Sequence, residues 1–269
     1  MKKILGLLAV LLVLAGCAWL ASLPRNTKPQ PWKMPESLYT PADFSQTESF
    51  LTCNAGAVAV GIDVSSHQGV IDWEQVASAG VQYVFVRVGY RGYGNGAVMA
   101  DARASENLRG AKDAGLLVGA YFFSQAIDVQ EAEEEAAFAM ETLETIGVKL
   151  DLPLVYDWEY VSETARTAQV DRKTLTACTL AFCRAAEAEG YVPMIYFNTS
   201  QGRDLLDLQQ VEQYPWWLAK YDLEADFLCR TDLWQYTNEG LVPGIGRTVD
   251  INLMFLEYGL GKMVFGAAE

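Results

Sequence analysis

The sequence predicts an α/β fold, an irregular TIM-like β/α barrel with five βα units followed by three strands. Three observations carry this. From residue 58 onward, short apolar runs alternate with helical patterns, and that alternation implies parallel strands under helical cover. The alternation occurs five times and is followed by three strand-like runs, which makes the eight strands that close a barrel. No G-x-G-x-x-G opens the first helix, which argues against a dinucleotide-binding open sheet, the main alternative. A chain of 269 residues, 51% hydrophobic, has ample material for one buried core.

Each element has its own signal. Residues 58–63 form an apolar run, read as a buried first strand. Residues 72–79 follow as a short helix with Asp72 as N-cap. Residues 82–88, QYVFVRV, are β-branched and aromatic and read as the second strand. A helix over 101–114 stops at Gly115, strand three covers 117–123, and a long helix over 128–146 ends at Gly147. Residues 153–159, PLVYDWE, read as strand four, and a helix over 171–189 ends at Gly190. Strand five covers 192–197, with a weak helix near 200–208. The last strands are expected over 216–219, 233–236 and 249–255, without helices between them.

Charge and composition narrow the chemistry. There are 34 Asp and Glu against 20 Lys and Arg, a net charge of −14, which argues against a nucleic-acid partner. The single histidine, His67, excludes a two-His zinc site and leaves hydroxyl or thiol nucleophiles only one base. Acid/base work by carboxylates is the better expectation, with no metal and no cofactor. The run Glu131, Glu133, Glu134 and Glu135 reads as a solvated face near the start of the long helix. Cys53, Cys178, Cys183 and Cys229 are expected as free thiols, with a Cys53–Cys229 bridge the open alternative.

The N-terminus reads as an export signal over residues 1–16. Lys2 and Lys3 precede an eleven-residue apolar run, too short to span a bilayer but right for a signal peptide. Leu14-Ala15-Gly16-Cys17 resembles the lipobox of bacterial lipoproteins, which implies a lipid on Cys17 and an anchor in a bacterial membrane. Loss of Lys2 and Lys3 with the leader takes the net charge to −16. Residues 17–57 hold five of the nine prolines and are expected to be an extended tether. The folded domain is then 58–269, a monomer on the outer side of the membrane.

In a parallel barrel, active sites form at the C-terminal strand ends, so the acids placed there are the candidates. Asp63 ends the first strand, Asp157 and Glu159 end the fourth, and Asp250 lies near the start of the last. Residues two apart on a strand share a face, with Cα atoms about 6.5–7 Å apart. Two acids on one face are costly if buried without partners, and Arg87 is the structural partner to set against a catalytic role. Like charges this close raise one pKa, as a general acid requires. Strand-end aromatics beside them suit a carbohydrate, and the chemistry reads as that of a glycosidase.

The same residues carry a family resemblance. Gly61-Ile-Asp-Val-Ser-Ser-His-Gln-Gly69 with Ile71-Asp72-Trp73 resembles the opening of glycoside hydrolase family 25, the Chalaropsis-type lysozymes or N,O-diacetylmuramidases. Tyr83 to Tyr90, Gly119 to Phe123, Pro153 to Glu159 with its D-x-E, Trp234-Gln235-Tyr236 and Val249 to Leu253 resemble later family motifs, in order. The resemblance implies a β/α barrel that cuts the β-1,4 bond between N-acetylmuramic acid and N-acetylglucosamine in peptidoglycan glycan strands. It implies Glu159 as general acid and Asp157 as the group that orients the substrate's N-acetyl group or a water. Asp63 and Asp250 complete an acidic floor. His67, Arg87, Tyr121, Tyr196, Trp217 and Gln235 are the implied substrate-binding positions. Two other functions stay open at this point. One is an inactive glycan-binding protein, against which all four acids stand; the other is a chitinase-like glycosidase, whose fuller D-x-x-D-x-D-x-E run is absent.

Overall fold

The computed structural model describes residues 31–222 and 229–266. The chain divides into two units, Met1–Lys33 and Met34–Glu269, and the second is described here. The leader over 1–16 and Cys17 lie outside the described residues.

In chain order, a short hairpin of β1 (Phe44–Gln46) and β2 (Leu51–Cys53) precedes β3 (Val58–Val64), α1 (Trp73–Ser78) and β4 (Tyr83–Arg91). Next come β5 (Val98–Ala100), α2 (Ala104–Asp113), β6 (Leu117–Ser124) and α3 (Val129–Ile146). Then follow β7 (Leu154–Trp158), α4 (Arg172–Ala188), β8 (Pro193–Asn198), a π-helical segment Gln201–Leu205, β9 (Trp216–Ala219), β10 (Leu233–Gly240), β11 (Val249–Phe255) and α5 (Gly259–Phe265). Helix starts follow their caps: Asp72, Asp128 and Asp171 accept from the backbone N–H groups of Gln75, Glu131 and Thr174. Gly147, at φ 72°, ends α3 in the left-handed region that a side chain would strain.

Eight strands close in the order β3-β11-β10-β9-β8-β7-β6-β4, with β3 pairing β4 to complete the ring. Seven run parallel, and β11 is antiparallel to both neighbours, β10 and β3. Every residue of β7 is buried, as expected of a parallel strand covered on both faces. The interior is filled by rings and aliphatic chains, among them Tyr83, Phe85, Val155, Met194 and Trp217. Gly61 is required here, because a Cβ at that position would meet the Tyr83 ring at 2.1 Å.

Three expectations are corrected. The helix expected from residue 101 begins only at Ala104, since Val98–Ala100 turns back as β5 along Gly89 to Arg91 of β4. Residues 34–57 are not a free tether. Leu38 N donates to Tyr258 Oη at 2.9 Å, Leu51 N to Tyr236 Oη at 3.3 Å, and Arg230 N to the Pro35 carbonyl at 2.8 Å. Tyr39 stacks on Phe255 with centroids 4.8 Å apart, and Phe44 packs edge-on to Trp234 at 5.1 Å. The physical reason is missing cover: among the described residues no helix follows β9 or β10, so the outward rings of the last strands need other apolar groups. The folded region thus begins near Met34, not at residue 58.

The acidic run is the third correction. Glu133 and Glu134 face solvent, but Glu131 and Glu135, four residues apart, share the inner face of α3. Glu135 is fully buried, accepts from Arg91 Nε at 2.7 Å and from Ser124 Oγ at 2.5 Å, and burial pushes its pKa up to about 7. Glu131 pairs with Arg166 at 2.5 Å. Cys53, Cys178, Cys183 and Cys229 are all unpaired, and burial pushes the Cys178 thiol up to about 12.

Candidate active site

The reversed β11 brings the acids together. Its first residues lie at the C-terminal end of the seven parallel strands, so Asp250 pairs in register with Asp63 near the end of β3. Asp157, the penultimate residue of β7, and Glu159, one residue past that strand, complete the group. These four carboxyl groups line a cavity of about 980 Å³ with Arg87, Tyr121, Tyr196, Trp217 and Gln235 around them. His67, in the exposed turn Ser66–Gln68, stands at its rim. The structure therefore gathers every candidate position of the described chain around one cavity. Among the described residues, no group of three or more His, Cys, Asp or Glu is arranged to hold a metal ion.

Burial and crowding raise all four acids. Asp63 Oδ2 accepts from Gln235 Nε2 at 2.8 Å and Asn252 Nδ2 at 2.9 Å. Burial nevertheless pushes it up to about 6, against those two bonds. Asp250 is pushed up to about 8 by burial and by Asp63. Burial, Glu159 and Asp63 hold Asp157 well above the carboxylate range, with Arg87 opposing. Glu159 is raised by burial and Asp63, while a hydrogen bond with Asp157 works the other way. A bond between two carboxyl groups needs one proton between them. Asp157 Oδ1 is buried with no protein donor in reach.

Arg87 does not pair with either member of the D-x-E. Its guanidinium meets Asp101, Nε at 2.9 Å and Nη2 at 2.8 Å, and lies 5.1 Å from the Tyr90 ring centroid. Asp101 is buried and also accepts from Ser66 N at 3.0 Å. Two of the aromatic candidates serve Asp63 rather than offering open faces. Tyr196 Oη donates to Gln235 Oε1 at 2.8 Å, and Trp217 Nε1 donates to Asn252 Oδ1 at 2.8 Å. Trp217 is only 2% exposed and Tyr196 9%. The most exposed aromatics on the cavity are Tyr93 and Tyr221.

The model of glycosyl hydrolases family 25 matches residues 62–245 of this sequence, over two thirds of the chain. The chain belongs to glycosyl hydrolase family 25. Among family 25 relatives, an autolytic lysozyme of Clostridium acetobutylicum is 26% identical over 207 residues, covering 77% of this chain and 57% of the relative. The modular autolysin LytC of Streptococcus pneumoniae, solved with a synthetic peptidoglycan ligand, superposes with a TM-score of 0.64 at 26% identity. That match covers 74% of this chain and 47% of the autolysin, so the chain spans about half the length of these relatives. A lysozyme from Streptomyces coelicolor has a TM-score of 0.61 at 24% identity, over 80% of this chain and 99% of its own, and shares the fold.

Three residues of this family 25 site escape a reading by strand ends. Asn252 lies two residues after Asp250, on the same strand face, and that spacing is a usable signal. Asp101 and Tyr221 sit in irregular segments, where no periodicity marks them.

Proposed function

We propose that this protein is a muramidase that hydrolyses the β-1,4 bond between N-acetylmuramic acid and N-acetylglucosamine in peptidoglycan. The observation that carries this reading is the Asp157–Glu159 pair, buried Asp157 and part-exposed Glu159, two acids of raised pKa that line one large cavity with Asp63 and Asp250. Membership of family 25 and the lysozyme and autolysin relatives support the substrate class.

Glu159 is the general acid that protonates the leaving oxygen. Asp157 orients the 2-acetamido group of the sugar. An acetamido N–H gives Asp157 Oδ1 the donor it lacks, and Glu159, whose pKa burial and Asp63 raise, carries the proton that goes to the glycosidic oxygen. The attacking oxygen is that of the acetamido group or of a water held by Asp157, and product stereochemistry separates the two. Asp63, the more acidic of the facing pair, supplies negative charge beneath the oxocarbenium-like centre, with Asp250 beside it. Arg87, Tyr121, Tyr221 and His67 stand around the sugar, with Tyr196, Trp217 and Gln235 fixing Asp63 from behind. We propose further that Cys17 carries a lipid and that the monomeric enzyme works at the outer face of a bacterial membrane, as the lipobox-like Leu14 to Cys17 supports.

Digestion of purified peptidoglycan with mass spectrometry of the products tests the reaction. New reducing ends on muramic acid are expected, and reducing-end glucosamine overturns the reading. Glu159→Gln is expected to fold and to lose activity by more than about a hundredfold. Palmitate labelling that is absent from the wild type, or that survives Cys17→Ala, removes the anchor.

A further inference from the structure

Glu159 stands where the sheet lets go of the chain. The ladder from β7 to β8 ends at the Asp157–Tyr196 pair, and the ladder to β6 ends at the Trp158–Ser124 pair. Past these points, the carboxyl position depends on whatever holds the main chain. Two glutamine amides do so, on two consecutive carbonyls. Gln201 Nε2 donates to the Trp158 carbonyl at 2.6 Å, and Gln125 Nε2 donates to the Glu159 carbonyl at 2.6 Å. They approach from opposite flanks, Gln125 from just beyond β6 and Gln201 from the π-helical segment after β8.

Each amide is itself locked. Gln201 Oε1 accepts from Asn198 N at 2.8 Å, and Gln201 N donates to Asn198 Oδ1 at 3.0 Å. Gln125 Oε1 accepts from Thr167 Oγ1 at 3.2 Å, and Nε2 gives its second proton to the Ser124 carbonyl at 2.9 Å. The Gln125 carbonyl accepts from Arg166 Nη1 at 2.8 Å. Both glutamines are buried, and neither lines the cavity that holds the acids. Burying an amide is costly unless every polar atom finds a partner. Here two fully partnered amides converge on the one segment that carries the D-x-E. A π-helical turn at Gln201 fits this, since such turns recur at functional sites.

We infer that Gln125 and Gln201 clamp the main chain at residues 158–159 and set where the Glu159 carboxyl stands relative to Asp157. They are positioning residues for acid catalysis. The inference rests on Glu159 as the general acid. A displacement of about 1 Å in a reacting group can cost a hundredfold in rate, so the clamp acts on kcat and leaves substrate contacts in place.

The test uses the full chain and soluble peptidoglycan fragments. Gln125→Met and Gln201→Met keep side-chain length and remove the donor. In folded variants, kcat is expected to fall about ten- to a hundredfold, with KM within about twofold. A kcat within about twofold of wild type in either folded variant overturns the clamp, as does a loss that follows only the fraction unfolded on thermal melting. Where Gln125→Met does not fold, Gln125→Glu replaces it. The introduced carboxyl group still donates to the Glu159 carbonyl when protonated and does not when ionised. The ratio of its kcat to wild type is expected to be near one at low pH and to fall as pH rises, and a ratio flat with pH overturns the clamp. Glu159→Gln run alongside separates the two ideas: activity retained there removes the general acid, whereas wild-type kcat in the glutamine variants with a dead Glu159→Gln removes only the clamp.

Discussion

Asp63 and Asp250 face each other as directly paired residues of antiparallel strands, an acid from the first barrel strand against an acid from the last. Burial pushes them up to about 6 and about 8. A carboxyl group whose folded pKa exceeds its unfolded one holds its proton more tightly in the folded chain. The resulting stability is fully present below the unfolded value near 3.8 and is lost as pH rises through about 6 for Asp63 and about 8 for Asp250. The melting temperature should therefore decline between about pH 5 and pH 9 on this account. Asp250→Asn should flatten the upper half of that decline. Scanning calorimetry on both proteins across that range decides, and parallel pH profiles would refute it.

Asp63 takes its two donors from Gln235 and Asn252. Asn252→Leu removes one of them and leaves burial less opposed, so the pKa of Asp63 should rise further. Carbon-13 NMR of labelled aspartate reads this directly. The acid limb of the activity profile should move to higher pH with it. An unmoved Asp63 titration would show that Gln235 alone suffices.

The Arg91–Glu135 pair is a buried structural contact, with side chains 5% and 0% exposed. Arg91→Met leaves Glu135 without its cation, and breaking such a pair by removing one partner costs about 3–5 kcal/mol. Burial already lifts Glu135 to about 7, so below that pH the acid protonates and the cost should shrink. Urea unfolding should show a larger difference between the two proteins at pH 8.5 than at pH 6 (chosen to lie about a unit or more either side). A difference independent of pH counts against an ionised Glu135 in the pair.

Residues 34–57 are expected to behave as part of the folded unit. Tyr39 is 5% exposed and stacks on Phe255, so Tyr39→Ala should cost about 3–5 kcal/mol, as for other buried rings. At this size each kcal/mol moves the melting temperature by about 2–4 °C. A chain trimmed to residue 58 should bare the outward rings Trp234 and Phe255 and aggregate. Native melting of that trimmed chain would return the segment to the status of a tether.

What the sequence disclosed follows from periodicity. The eight barrel strands and the four Asp- or Gly-marked helices repeat a pattern that local chemistry enforces, and they stand where that pattern puts them, within a few residues. The acids at strand ends were legible for the same reason, because a buried parallel strand has no structural use for Asp157. The direction of β11 was not legible, since a run such as Val249 to Phe255 reads alike in both senses. The hairpin at β5 and the packing of residues 34–57 depend on bare surface elsewhere in the barrel, which no local window contains. Glu135 was misread because helix-face averaging cannot know that Arg91 waits across the interface. Gln125 and Gln201 carry no pattern at all; their partners are main-chain carbonyls distant in sequence.

The pairing of Asp63 with Asp250 also bears on when the enzyme can act. One acid emerges early in synthesis and the other near the end, and they meet only when β11 wedges between β3 and β10. A shortened or half-made chain lacks both the seal of the barrel and the fourth acid of its floor. The four-acid floor and the closed barrel are thus completed in one step.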